Sequence, residues 1–216
     1  LGILWSCVYP LMRMALVVVL FSTIFNKGIE KYPAYYFVGF LIFEFFATAT
    51  QTSLTTLKDN RNLLIKSKLP RELFVLSRVL TAFVNFLLGC IPFAAVLAWY
   101  RARVTLYYLM IPVVLLLRLL FTAGMSYVVS IWFVFQRDAR NIYSNFIFIL
   151  RFFVAMFYSV EWVSDGVKWV IKHNPVYAYI YVMRQCVVYG QWPERMYLIQ
   201  MVAWAFGMLA FGILIF

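Results

Sequence analysis

Residues 58–74 read KDNRNLLIKSKLPRELF, the one long polar interruption in a chain otherwise built of apolar runs long enough to cross a bilayer. Lys58, Arg61, Lys66, Lys68 and Arg71 outnumber Asp59 and Glu72, and an apolar cluster, Leu63, Leu64 and Ile65, sits in the middle. Pro70 suits the first turn of a helix, where its missing N–H removes no hydrogen bond and its φ is already helical. Arg71 and Glu72 then stand at the mouth of a new span. A charged loop with an apolar knuckle that leads straight into a membrane helix can pass a push into the bilayer. The simpler alternative is a solvated basic loop held near anionic headgroups.

The composition outside this loop is that of an integral membrane protein. Of 216 residues, 65% are hydrophobic, 20% aromatic and only 12% charged, about half the charged share of a soluble domain. The formal net charge is +11, but every basic cluster is flanked by apolar runs, so lipid headgroups rather than nucleic acid are the expected counterpart. Cys7, Cys90 and Cys186 are isolated, and His173 is the single histidine. No metal site or disulfide framework is expected from them. The chain begins at Leu1 and ends at Phe216 within an apolar run, which reads as trimming at both ends, and no signal peptide is legible.

Six spans are expected, at 8–25, 34–57, 73–100, 106–135, 142–160 and 196–216, each long enough for roughly 30 Å of hydrocarbon. Residues 161–189 break this pattern. They mix Trp162, Trp169, Asp165, Lys168 and Lys172 with an apolar stretch from Pro175 that is too short to span. The segment reads as a pair of short re-entrant helices with aromatic rings at headgroup depth. The expected fold is a single all-α transmembrane domain. Basic residues divide evenly between the two sides; the dense cluster at 58–71, with both termini on the same side, places that side in the cytoplasm.

Polar groups recur within the spans at helical spacing. Glu44, Thr48, Gln51 or Thr52, and Thr55 share one face, and Arg118, Thr122, Ser126 and Ser130 fall at i, i+4, i+8 and i+12. Arg151 interrupts a phenylalanine-rich run. An arginine at the bilayer centre costs on the order of 2.5–3.5 kcal/mol, so Arg118 and Arg151 should face other helices, a carboxylate or water. Glu44 is the natural partner for one of them. One reading is a buried pair that holds the bundle together. The other is a hydrated translocation path lined by Glu44, Thr48, Gln51, Arg118, Thr122, Ser126 and Arg151, which the rows of Thr and Ser favour. Arg13, near a helix end, is expected to snorkel.

Catalytic signatures are missing. No GxxxxGK[ST], HExxH or GxSxG occurs, and Glu30, Glu161, Asp165 and Glu194 have no histidine or cysteine set beside them in sequence. If ATP drives this chain, a partner must bind the ATP. Trp162, Trp169, Tyr177, Tyr179 and Tyr181 can act as interface anchors. They also suit contact with sugar faces, their polar edges exchanging hydrogen bonds with hydroxyls.

Three ordered motifs resemble one family. Leu1, Gly2, Ile3, Leu4 and Trp5 followed by Pro10 and Leu11 resemble the LGxLW....PL opening of permease subunits of ATP-binding-cassette polysaccharide exporters. Leu69, Pro70, Arg71, Glu72 and Leu73 resemble their PREL motif, and Asn174, Pro175 and Arg184 their NP......R segment. The resemblance implies a homodimer in the bacterial cytoplasmic (inner) membrane, paired with two ATPase subunits that carry ATP and magnesium. Its implied cargo is O-antigen, teichoic acid or a related polymer on polyprenyl diphosphate. It implies that 58–72 is the coupling element, with Arg61, Leu63, Leu64, Ile65, Lys66, Pro70, Arg71 and Glu72 on the ATPase. It makes 161–189 the external gate, with Trp162, Trp169, Asn174, Pro175, Tyr177, Tyr181 and Arg184 as gate and glycan contacts. An amphipathic helix usually precedes LGxLW in the family. Three rivals stay open: an exporter of small lipids or drugs, a membrane-embedded enzyme of glycan assembly, and a purely structural membrane anchor, which the two polar stripes weaken.

Overall fold

Tyr32–Leu54 forms α1, which is apolar over most of its circumference and buried along most of its length. A helix of that kind belongs inside a bundle, and the remaining elements surround it. The computed structural model describes residues 8, 11, 12, 15–17, 19, 31–66, 69–100 and 105–216. Of the first expected span only the seven positions before 31 are described, all helical. Arg13, the LGxLW residues, Pro10, Glu30, Lys68, Arg101 and Arg103 lie outside the described residues.

After α1 come two short helices, α2 (Thr56–Asp59) and α3 (Arg61–Lys66). The long α4 (Glu72–Trp99) follows. Its buried residues Val75, Val79, Ala82, Phe86 and Gly89 form one stripe against α1, while Leu80, Val84, Leu87 and Ile91 face outward as lipid-facing residues do. A 3₁₀ turn (Leu106–Leu109) leads into α5 (Met110–Phe135). Then come α6 (Ala139–Leu150), α7 (Asp165–His173), α8 (Pro175–Arg184) and α9 (Arg195–Ile215). Four segments are long and apolar enough to cross a membrane among the described residues: Tyr32–Leu54, Glu72–Trp99, Leu106–Phe135 and Arg195–Ile215.

The most extensive packing is between α5 and α9, and two glycines explain it. A Cβ on Gly124 would lie 2.4 Å from the Met208 carbonyl oxygen, and one on Gly212 would lie 2.5 Å from the Gly124 oxygen. Only glycine lets the two backbones approach this closely, the device that replaces hydrophobic driving force between helices in lipid.

The fifth expected span, 142–160, is corrected by the structure: α6 stops at Leu150, and residues 151–158 form turns, with Ala155 at φ 45°. Unwound backbone within a membrane domain must have its polar groups satisfied by protein. Here side chains do so. Tyr158 OH donates to Phe152 O (2.7 Å), Asn174 Nδ2 to Phe153 O (3.3 Å), Tyr32 OH to Phe157 O (3.0 Å) and Tyr35 OH to Tyr158 O (2.9 Å). Arg184 takes two of the three carbonyls between Phe153 and Phe157, donating from Nη1 to Ala155 O (3.1 Å) and from Nη2 to Met156 O (3.2 Å). Two short helices, α7 and α8, then precede the last long helix, as the reading of 161–189 expects; a π turn (Gln185–Tyr189) and Gly190 at φ 62° end α8.

Candidate functional site

The two ends of α1 carry different chemistry. Its C-terminal end runs through Thr55 into α2, where Thr55 Oγ1 donates to Asp59 Oδ2 (2.7 Å), Asn60 Nδ2 to Thr56 O (2.8 Å), and Lys58 lies over the Phe133 ring (5.8 Å). From this tied root α3 projects outward. It packs appreciably only on α2 and buries none of its residues. Leu63 is 56% exposed and Ile65 71%, with Arg61, Lys66, Pro70, Arg71 and Glu72 exposed around them, while Leu64 is half-buried. The apolar tip of the knuckle is therefore Leu63 and Ile65. Pro70 sits just ahead of α4 and its carbonyl accepts from Leu73 N (3.2 Å).

Along the middle of α1 the two intramembrane arginines part company. Ile42 and Phe46, one turn apart, face Arg118: its Nη2 donates weakly to Ile42 O (3.4 Å) and its guanidinium lies 4.9, 5.4 and 5.0 Å from the rings of Phe46, Phe121 and Tyr179. Glu44, two residues from each, points elsewhere and meets Arg151 Nη2 at 3.4 Å, with the Phe43 ring below that guanidinium. Helix phase thus selects Arg151 as the partner of Glu44. Arg118, Thr122 and Ser126 are all buried, and Arg118 Nε and Nη1, Thr122 Oγ1 and Ser126 Oγ have no hydrogen-bond partner. Ser130 is also buried but bonds to Tyr127 O (2.8 Å). Of the proposed path, Glu44, Thr48, Gln51 and Arg151 keep accessible surface.

At the N-terminal end of α1 lies a polar cleft of about 330 Å³. Tyr35 of α1, Tyr177, Tyr181 and Arg184 of α8, Lys172 of α7, Glu161 ahead of α7, and Glu194 and Tyr197 at the start of α9 form its walls. The tyrosines pack as a group, with ring centroids 4.0 Å apart for Tyr181 and Tyr197 and 5.9 Å for Tyr177 and Tyr197. Tyr181 OH donates to Glu194 Oε1 (3.1 Å). Glu161 bonds Lys168, which holds its carboxyl below the usual carboxylate range, with Lys172 adding to the effect.

Asn174 and Arg184 both make hydrogen bonds that hold the elements around this cleft together. Asn174 Oδ1 accepts from Val176 N (2.9 Å), capping α8, with Pro175 in the first turn. Arg184 lies 3.4 Å over the Tyr35 ring and donates from Nε to Tyr35 O (3.2 Å) in addition to its two bonds to 155 and 156. Trp162 and Trp169 lie outside the polar cleft. Trp169 packs on His173 at 4.5 Å and lines a separate apolar groove of about 440 Å³ with Phe46, Phe121, Phe146, Trp204 and Met208. Sequence reasoning missed Tyr35, Lys172, Glu194 and Tyr197 as neighbours of Tyr177 and Tyr181, since they come from three other elements. Among the described residues no group of acidic, cysteine and histidine side chains is placed to hold a metal.

From Tyr35 to Leu54 α1 rises about 29 Å at 1.5 Å per residue, close to the hydrocarbon thickness of a bilayer. The polar cleft and the charged knuckle therefore stand at opposite faces of a membrane-thick bundle. Together with the lipid-facing helices this defines a multi-pass α-helical membrane protein. The chain belongs to the ABC-2 family of transporter proteins, whose model matches residues 5–216. It is similar to the O-antigen export system permease protein RfbA of Myxococcus xanthus, 31% identical over 76% of this chain and 64% of that protein. Two O-antigen export system permease proteins RfbA of Klebsiella pneumoniae are 26% and 25% identical over 88% of this chain, and 73% and 74% of their own lengths.

Proposed function

We propose that this chain is the permease subunit of an ATP-driven exporter in the bacterial cytoplasmic (inner) membrane. Its cargo is a polyprenyl-diphosphate-linked polysaccharide such as O-antigen or teichoic acid. It works as a homodimer with two copies of a cytoplasmic ATP-binding-cassette subunit, and ATP and magnesium sit on that partner. The observation that carries the coupling role is the knuckle: an exposed apolar tip, Leu63 and Ile65, ringed by Arg61, Lys66 and Arg71 and rooted at the end of α1. An exposed apolar pair on a small charged helix suits a groove in a partner, with the charges at the rim. Because α3 is continuous with α1 through α2, and Pro70 and Glu72 lead at once into α4, movement of the knuckle reaches both helices. A partner shifts such a bundle only through its differential affinity for the bundle's two states. The tyrosine-lined cleft at the other end of α1, formed from α8, α9 and the segment after α6, favours a sugar cargo over a drug, and of the expected path residues Glu44, Thr48, Gln51 and Arg151 remain accessible.

Ile65→Asp tests the coupling. The variant should insert and fold normally, because the side chain packs on nothing, yet lose co-purification of the ATPase subunit and export by about tenfold or more, as for a central interface residue. Export at the parent rate would show that the knuckle is a solvated loop.

A further inference from the structure

Gly39 stands one turn along α1 from Tyr35, in a helix interior, where glycine is a poor choice beside alanine. Its surroundings explain it. A Cβ there would lie 2.8 Å from Arg184 Nη2 and 3.2 Å from Met156 Cγ. The missing side chain is a seat that lets the guanidinium lie against α1, with Nε on Tyr35 O and the guanidinium carbon 3.4 Å from the centre of the Tyr35 ring.

From this seat Arg184 also reaches away from α1. Nη1 and Nη2 donate to Ala155 O and Met156 O, so one planar fork holds carbonyls of two elements while its own backbone belongs to a third, α8. Ala155 is at φ 45°, a conformation that is unfavourable for an alanine. Such a turn persists where its surroundings over-determine it, and the donor on Ala155 O is part of what does so. The hydroxyls of Tyr32 and Tyr35 tie α1 to Phe157 O and Tyr158 O as well. Arg184 adds α8 to the same joint.

The far end of α1 runs into the knuckle, and the helix is unbroken from Tyr32 to Leu54. A displacement at its cytoplasmic end therefore displaces Tyr35 and Gly39 too. The polar cleft is built on the pieces that meet there: Tyr35 on α1, Tyr177 and Tyr181 on α8, and Ser159 and Val160 just past the unwound segment.

We infer that Gly39 and Arg184 are positioning residues of the export cycle. Seated on Gly39, Arg184 is the joint through which movement of α1, driven from the knuckle, shifts α8 and residues 151–158 and changes access to the cleft. The turn at Ala155 is the two-state element: it is held while the fork is engaged and relaxes when the fork is drawn off. The inference rests on the coupling reading and extends it to the opposite face of the bundle.

The test uses the full chain co-purified with its ATPase subunit in nanodiscs. Gln191, exposed on the cleft wall, is changed to cysteine (Gln191→Cys), and its labelling rate with a membrane-impermeant maleimide is read with and without a non-hydrolysable ATP analogue. The chain lacking this substitution gives the background from native cysteines. The analogue should change the rate by about fivefold or more, the size of an ordinary coupling between sites. Gly39→Ala presses on the tip of Arg184 without touching the knuckle, and should remove most of that response while the ATPase still co-purifies and hydrolyses ATP at the parent rate. Ala155→Gly, which adopts φ 45° freely, should keep the fold and damp the response, because the turn no longer needs the fork; it decides the matter if Gly39→Ala fails to fold. A purely structural joint would show in the thermal midpoint and leave the response intact. A parent-sized response in both folded variants, or no response in the parent with the ATPase bound and active, would overturn the inference. No co-purifying ATPase would instead remove the coupling reading on which it stands.

Discussion

Arg118 and Arg184 are both buried, 1% and 3% exposed, and neither forms an ion pair among the described residues, yet they do opposite things to the bundle. Arg184 has its three nitrogens on three carbonyls, two of them in the unwound segment after α6. Removing it takes the Arg184 donors from the Ala155 and Met156 carbonyls of that segment. Arg118 has one long bond to Ile42 O, two nitrogens without partners and three aromatic rings around it. The cage supplies cation–π attraction against a desolvation cost of several kcal/mol. A buried arginine is structural when the backbone needs its donors. Otherwise its burial alone says little about stability.

Four measurements break or sharpen this contrast. Arg184→Met should have the largest effect, a loss of about 3 kcal/mol or more, since each orphaned buried carbonyl costs roughly 1–3 kcal/mol; the thermal midpoint in detergent reports it. Arg184→Lys should recover little, because a point charge cannot reach three carbonyls at once. Asn174→Ala removes the cap of α8 and the bond to Phe153 O, and about 1–2 kcal/mol should go with them. Arg118→Met should stay within about 1 kcal/mol of the parent, the lost cation–π energy offset by relief of desolvation. A loss near that of Arg184→Met would show that its unpartnered nitrogens are in fact satisfied.

The smallest effect belongs to Glu161. Its pKa is depressed by the Lys168 hydrogen bond, so its contribution is present above the ordinary glutamate pKa of about 4.3 and is lost as pH falls through the lower folded value. NMR titration of the Glu161 carboxylate should show that depression, and Lys168→Gln should return it toward the ordinary value.

The long helices were legible because their apolar runs end at strong punctuation. The expected 73–100 is the observed Glu72–Trp99, with Pro70 just before it, and the expected 196–216 is Arg195–Ile215. The break after Leu150 was hidden for the same reason in reverse: residues 151–158, RFFVAMFY, contain neither Gly nor Pro. The chain unwinds there because Tyr32, Tyr35 and Arg184, distant in sequence, compete for its carbonyls. The knuckle could be read as an apolar cluster, but its orientation could not; six residues of helix decide that Leu63 and Ile65 point out and Leu64 in. Within the cleft, Tyr177 and Tyr181 announce each other at i, i+4, whereas Tyr35, Glu194 and Tyr197 arrive from α1 and α9 and need the fold. The pairing of Glu44 depended on helix phase against two other helices, which no spacing along one chain reveals.

The most direct test of the account is ATP hydrolysis by this chain co-purified with its ATPase subunit in lipid nanodiscs, with and without a polyprenyl-diphosphate-linked glycan. The account predicts stimulation by the lipid-linked glycan and none by drugs or by added phospholipid. No co-purifying ATPase, or a rate indifferent to the glycan, would contradict it.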